Sequence, residues 1–227
     1  MIRAVFFAMA TLLDHVMCQD GSLLVDGDIV IGGLVPIHTT NSENPAICGD
    51  LNERVGIQRL EAMLFAMDII NSNKSVLKNI SLGLEVYDTC SSEIVALDRA
   101  LHFVKDSAFV KEKHAMGNHI VPGVIGPSYS SVSVQVAHLF RLFQIPQVSF
   151  DSTSYELSDK TRFDFFSRTV PHDLYQAKAL IDIAKFMNWT YVSVVYSGDS
   201  YGMLGFQAVK KEAKRAGMFL VCRQSGV

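Results

Sequence analysis

The chain has 227 residues and a formal charge of −3, from 20 Lys and Arg against 23 Asp and Glu. That balance argues against a nucleic-acid partner, because such domains carry a basic face or stripe. Hydrophobic residues at 49% and charged residues at 19% exclude a disordered chain, and the length allows one or two domains.

Residues 1–18 differ in kind from the rest. Arg3 precedes the uncharged apolar run Ala4 to Leu13, and Val16-Met17-Cys18 leads into Gln19-Asp20. This is the pattern of a secretory signal peptide, too short to span a bilayer, with a buried N-terminal helix as its rival. No other stretch reaches about 18 apolar residues, so no membrane span is expected and the mature product should be extracellular. Cys48 and Cys90 sit beside polar loop residues, a setting that suits a surface disulfide and leaves Cys222 over. The sequons at Asn73, Asn79 and Asn188 agree with secretion.

Along the chain, Asp28 to Pro36 is a short apolar run closed by Pro and predicts a buried strand. Ile57, Leu60, Leu64 and Met67 recur at helical spacing, ended by Asn71-Ser72-Asn73. Leu82 to Tyr87 predicts a strand, and Ser91-Ser92 opens a helix whose apolar positions are Ile94, Leu97, Leu101 and Val104. Val110 to His119, rich in Lys and His, reads as a mobile loop. Val121 to Pro127 is strand-like and leads through Ser130-Ser131 into a helix carrying Val132, Val136, Leu139 and Phe143. A strand at Gln147 to Phe150 and an extended piece at Phe165 to Val170 follow. The series closes with a helix from Asp173 carrying Leu180, Ala184 and Met187, a strand at Thr190 to Ser197, a helix at Gly205 to Ala216 and a strand at Phe219 to Arg223. Alternating strands and helices predict an α/β fold with a parallel sheet covered on both faces, which binds ligands beyond the carboxyl ends of its strands. Pro171 marks a break between a first lobe and a second series with only two strands, so the chain reads as cut off inside its second lobe.

Enzyme signatures are weak. Gly126-Pro-Ser-Tyr-Ser lacks the second glycine of a nucleophile elbow, and there is no H-E-x-x-H, P-loop or dinucleotide fingerprint. His172 and Asp173 are adjacent and cannot orient one another as a triad requires. His114 and His119 do not share a helix face and have no third ligand, so neither metal nor cofactor is expected. Binding chemistry is better supported. Val124 to Ser131 places hydroxyls and backbone N–H groups at a strand-to-helix turn suited to a carboxylate. Ser152-Thr153-Ser154 follows the next strand, and Asp173 offers a carboxylate for an ammonium, so a zwitterion fits as well as ordinary caps and turns do.

These segments resemble a known family. Gly27-Asp-Ile-Val-Ile-Gly-Gly-Leu34, Gly56-Ile-Gln-Arg-Leu-Glu-Ala-Met63, Ile125-Gly-Pro, Leu142-Phe-Gln-Ile-Pro-Gln147, Glu156-Leu-Ser-Asp159 and Asn188-Trp-Thr-Tyr-Val-Ser193 resemble the extracellular ligand-binding region of metabotropic glutamate receptors, from about Gly27 to Gly217. The resemblance implies a periplasmic-binding-protein-like Venus flytrap, with lobe one at 27–170 and the start of a truncated lobe two at 171–227. It implies recognition of L-glutamate or a related amino acid, a homodimer through lobe one, and coupling to a G protein through a transmembrane domain absent from this sequence.

By the same resemblance, Arg59 holds the ligand's side-chain carboxylate and Ser130 and Thr153 its α-carboxylate, with Ser152 in the same segment. Asp173 accepts from the α-ammonium, and Tyr201 packs over it. Cys48 and Cys90 correspond to a lobe-one disulfide. Where many members carry a polar or basic residue four before the arginine, this chain has Val55, so its distal pocket is expected to be less polar. The stretch from Lys105 to Pro122 lacks the cysteine that bridges protomers, leaving a dimer to packing alone. With half the clamp missing, the chain alone is expected to bind weakly or not at all. Two other readings remain: a truncated secreted isoform that pairs with full-length receptor, and a free-standing amino-acid-binding protein of the same fold.

Overall fold

The computed structural model describes residues 16–19, 22–105 and 121–225. Residues 1–15 of the expected signal segment, the loop 110–119 and the histidines at 114 and 119 lie outside the described residues.

A seven-stranded sheet forms the first layer. Its strands are β1 (Val16–Gln19), β2 (Ser22–Val25), β3 (Ile29–Val35), β6 (Leu82–Asp88), β7 (Val124–Ile125), β8 (Gln147–Ser149) and β9 (Phe166–Arg168), in the order β1-β2-β6-β3-β7-β8-β9. From β6 to β9 all pairings are parallel, while β1 and β2 add an antiparallel edge. Between β3 and β6 a small antiparallel pair, β4 (His38–Thr40) and β5 (Cys48–Leu51), stands apart from the main sheet. The structure joins Cys48 to Cys90 and leaves Cys222 free and exposed.

Helices cover both faces of the sheet, as a buried parallel sheet requires. On one side, α1 (Gln58–Ser72) lays Leu60, Met63, Leu64 and Met67 on Val35, Leu82, Leu84 and Val86. On the other, α2 (Glu93–Lys105) and α3 (Ser130–Leu142) bury Ala96, Ala100, Phe103, Val132, Val136 and Phe140 with Leu34 and Val124. The paired glycines of β3 permit this double cover: a Cβ at Gly32 would meet the Phe103 ring at 2.8 Å, and one at Gly33 the Met63 side chain at 2.8 Å. We call this layer lobe one.

After β9 the chain passes through Pro171 into α4 (Asp173–Phe186), β10 (Tyr191–Ser197), α5 (Ser200–Arg215) and β11 (Phe219–Ser225). The two strands pair in parallel and α4 packs against α5 over Ile181, Ala184, Ala213 and Met218. We call this part lobe two. Among the described residues, no helix is long and apolar enough to cross a membrane.

Three local readings differ from the sequence pattern. In α2 the inward stripe is Val95, Ala96, Ala100 and Phe103, while Ile94 and Leu101 face outward. Small residues there let α2 approach α3, so packing overrides the more apolar stripe. In α4, Ala177, Ile181 and Ala184 are buried and Leu180 and Met187 exposed for the same reason. Helix α5 begins at Ser200, not Gly205, because Asp199 caps it by accepting from Gly202 N–H at 2.9 Å.

Candidate functional site

The site lies at the carboxyl ends of β7 and β8, where each strand turns toward a polar loop. After β7 the chain must clear β3, and Gly126 makes this possible with φ +103°, since a Cβ there would come within 2.2 Å of the Leu34 carbonyl. The loop then delivers Ser128, Tyr129 and Ser130 to the start of α3, whose first N–H groups have no acceptor within the helix. Tyr129 occupies the cap position without a side-chain cap bond.

After β8, Ser149 builds the second loop: its hydroxyl donates to Pro127 O at 2.7 Å and accepts from Ser152 N–H at 3.0 Å. Ser130 Oγ accepts from Ser154 N–H at 3.1 Å and ties the loops together. From β9, Arg168 donates to the carbonyls of Ser152 (3.1 Å) and Ser154 (2.8 Å) and to the Ser158 hydroxyl. Burial presses this guanidinium below its usual range, and the nearby Asp173 carboxylate opposes that shift. The backbone flanking Thr153 is thereby fixed from both sides.

Ser128, Tyr129, Ser130, Ser131, Asp151 and Thr153 of lobe one face Gln176, Asp199 and Tyr201 of lobe two across a cavity of about 370 Å³. The Thr153 and Tyr201 hydroxyls lie 3.2 Å apart across it, and within lobe two Tyr201 OH donates to Asp173 Oδ1 at 3.5 Å, at the limit of a hydrogen bond. The hinge is held by Asp173 N–H donating to Thr153 O at 2.9 Å. Burial pushes the Tyr201 phenol above its usual range, with the Asp173 and Asp151 charges adding to the shift, so it stays a neutral donor. The Asp199 carboxyl is held below the ordinary range chiefly by the Ser197 hydroxyl and also by Gly202 N–H.

The structure thus brings Ser130, Thr153, Asp173 and Tyr201 together. Ser152 lies in the same loop but directs its hydroxyl inward, 2.7 Å from Ser133 Oγ and donating to Ser128 O at 3.0 Å. Arg59, in the first turn of α1, is not part of the polar cavity wall. It forms an ion pair with Asp151, which is, and its guanidinium lies 5.3 Å over the Phe150 ring. On its other side Arg59 borders an apolar cavity of about 390 Å³ beneath α1, walled by residues such as Met63, Met67 and Leu84. Sequence reasoning did not single out Asp151, Gln176 or Asp199 as cavity residues. Asp199 had a signal, the Asp-x-x-Gly of a helix cap, whereas Asp151 and Gln176 had none beyond their loops. Asn73, Asn79 and Asn188 are all exposed, the last two with positive φ of 57° and 55°, which asparagine tolerates.

Comparison with known proteins follows the same lines. Residues 58–225 match the family described as the receptor family ligand binding region. Metabotropic glutamate receptor 8 of Mus musculus and of Homo sapiens are each 43% identical over 231 residues, covering 96% of this chain and 25% of the receptor. Metabotropic glutamate receptor 4 of Macaca fascicularis is 48% identical over 206 residues, 86% of this chain and 22% of the receptor. The chain spans about a quarter of the length of these relatives. They are receptors, and the polar cavity lies within the matched segment. The chain therefore belongs to the family of receptor ligand-binding regions and, over nearly its whole length, is similar to metabotropic glutamate receptors.

Proposed function

We propose that the chain recognises an acidic amino acid, L-glutamate in the first instance, as the extracellular clamp of a metabotropic glutamate receptor. The observation that carries this reading is the polar cavity joining the N-terminus of α3 to Tyr201, whose hydroxyl donates to Asp173 behind it. The α-carboxylate is accommodated by the N–H groups of the first turn of α3 with the Ser130 and Thr153 hydroxyls. The α-ammonium is accommodated by the Asp173 carboxylate and the Tyr201 ring. Arg59 serves the side-chain carboxylate, which must compete with Asp151 for the guanidinium.

Ligand shifts an open clamp toward a closed one only by its greater affinity for the closed form. The Thr153–Tyr201 hydroxyl contact and the Asp173 N–H bond to Thr153 O link the lobes. A ligand bridging the same residues would stabilise that arrangement. A homodimer would form through lobe one, where α1 exposes Phe65 and Ile69 and α2 exposes Ile94 and Leu101. Signalling through a G protein, a plasma-membrane parent, removal of residues 1–18 and glycosylation at Asn73, Asn79 and Asn188 complete the reading.

NMR titration of the chain with L-glutamate tests it, because shift changes report even weak binding. The expected result is perturbation of the Ser130, Ser131, Thr153, Asp173 and Tyr201 amides. Shifts confined to other regions would refute it.

A further inference from the structure

We propose that His38, Cys48, Asp88 and Cys90 form a binding site for a zinc-type divalent ion when the Cys48–Cys90 bond is reduced. One ligand-capable atom from each of the four lies within 4.8 Å of the other three. A tetrahedral ion with bonds of 2.0–2.3 Å needs its ligands roughly 3.3–3.8 Å apart, so side-chain movements suffice once the sulfurs separate. Two thiolates, an imidazole and a carboxylate form a donor set that favours zinc over hard, oxygen-seeking ions.

The frame suits the role. His38 is on β4, Cys48 opens β5, and Asp88 ends β6 two residues before Cys90. Asp88 Oδ1 accepts from the N–H groups of Ile37 (2.9 Å), His38 (3.3 Å) and Cys90 (2.8 Å), which fixes the carboxylate and leaves Oδ2 toward His38 Nδ1 at 2.5 Å. These bonds orient the carboxylate from outside the site, as supporting hydrogen bonds do around protein-bound metals. Cys90 is fully buried while Cys48 is exposed and His38 half-exposed, so ion and reductant have a route from solvent.

The chemistry balances with an external dithiol as the reductant. A dithiol reductant gives two electrons and two protons to the S–S bond and leaves as its own cyclic disulfide, yielding two thiols. The ion then takes both sulfurs as thiolates and two protons pass to water, with no change in its oxidation state. Lobe one thus has two alternative staples joining the β4–β5 pair to the end of β6, one covalent and one metallic.

Cobalt(II) is the probe, since thiolate ligation gives it a charge-transfer band that oxygen ligands do not. The experiment uses the full chain with Cys18→Ser and Cys222→Ser, so that only the paired sulfurs contribute, in oxidised form and after reduction with a phosphine, which gives the same two thiols by taking oxygen from water and leaving as its oxide, and adds no competing thiol. The expected result is a charge-transfer band on reduction only, its loss on adding zinc, and a higher Tm for the reduced chain with zinc. His38→Ala and Asp88→Asn should each weaken cobalt binding by roughly tenfold or more. Absence of the band after reduction would overturn the proposal. So would equal cobalt affinity in both variants and the parent, which would mean two thiols of an opened chain acting alone. Neither outcome bears on amino-acid binding, because none of the four residues lines the polar cavity at the ends of β7 and β8.

Discussion

Lobe one and lobe two face the same cavity with walls of different character. Ser128 and Ser130 of lobe one are under a tenth exposed and held by a mesh of loop hydrogen bonds, whereas Tyr201 of lobe two is 39% exposed. Beneath them the contrast continues. Lobe one closes on Leu34, Phe103 and Phe140, all fully buried, while lobe two buries only small and medium side chains and leaves Phe219 at 76% and Val195 at 68% exposed. The lobe-one wall is therefore held in place by its own loops and core, whereas the lobe-two wall rests on fewer buried side chains.

The largest effect should separate the two cores. Phe140→Ala should cost about 3–5 kcal/mol in urea unfolding, because the cavity it leaves lies between two helices and the sheet. Phe219→Ala should change stability by less than about 0.5 kcal/mol, since that ring is mostly in solvent. Similar losses for both would erase the distinction between the lobes.

At the site, Arg59→Ala should weaken a diacidic amino acid by about 1.5–3 kcal/mol, the scale of losing a charged hydrogen-bond partner. Calorimetry should show a much smaller effect on an amino acid with no side-chain carboxylate. Equal losses for the two ligands would make Arg59 a structural residue serving Asp151.

The cap of α5 sharpens the comparison from the lobe-two side. Asp199→Ala should destabilise that helix by about 1 kcal/mol and speed amide exchange in α5 while leaving α3 unchanged. Because the folded carboxyl is held below the ordinary range, the cap's contribution is present above the unfolded value of about 3.9 and is lost as pH falls through the lower folded value. The Gly202 amide shift should therefore titrate below 3.9. A smaller effect is expected at the rim: Asp151→Asn should tighten binding of an acidic amino acid by roughly 0.2–1 kcal/mol, by freeing Arg59 from a partly exposed ion pair.

Much of this was legible from sequence. The apolar run at β3, the helix stripe Leu60-Leu64-Met67 and the serine-rich turn before α3 specify elements by local pattern alone. Ser130, Thr153, Asp173 and Tyr201 were recognisable through resemblance to a family, and the folded chain assembles them from four separate elements. The inward faces of α2 and α4 were not legible, because alanines win there by allowing close approach and carry little apolar signal themselves. Nor was the Arg59–Asp151 pair, whose members are 92 residues apart. The cluster of His38, Cys48, Asp88 and Cys90 has no motif spacing, since β4, β5 and β6 assemble it only in three dimensions.

The central claim is that lobe one presents a ready-made α-carboxylate site, and Thr153→Val tests it most directly by removing one hydroxyl while keeping the side chain's shape. Its affinity for L-glutamate should be compared with that for 4-aminobutyrate, which lacks the α-carboxylate. The account predicts a loss of about 1 kcal/mol for L-glutamate and no change for 4-aminobutyrate. Unchanged L-glutamate binding, or equal losses for both ligands, would contradict it.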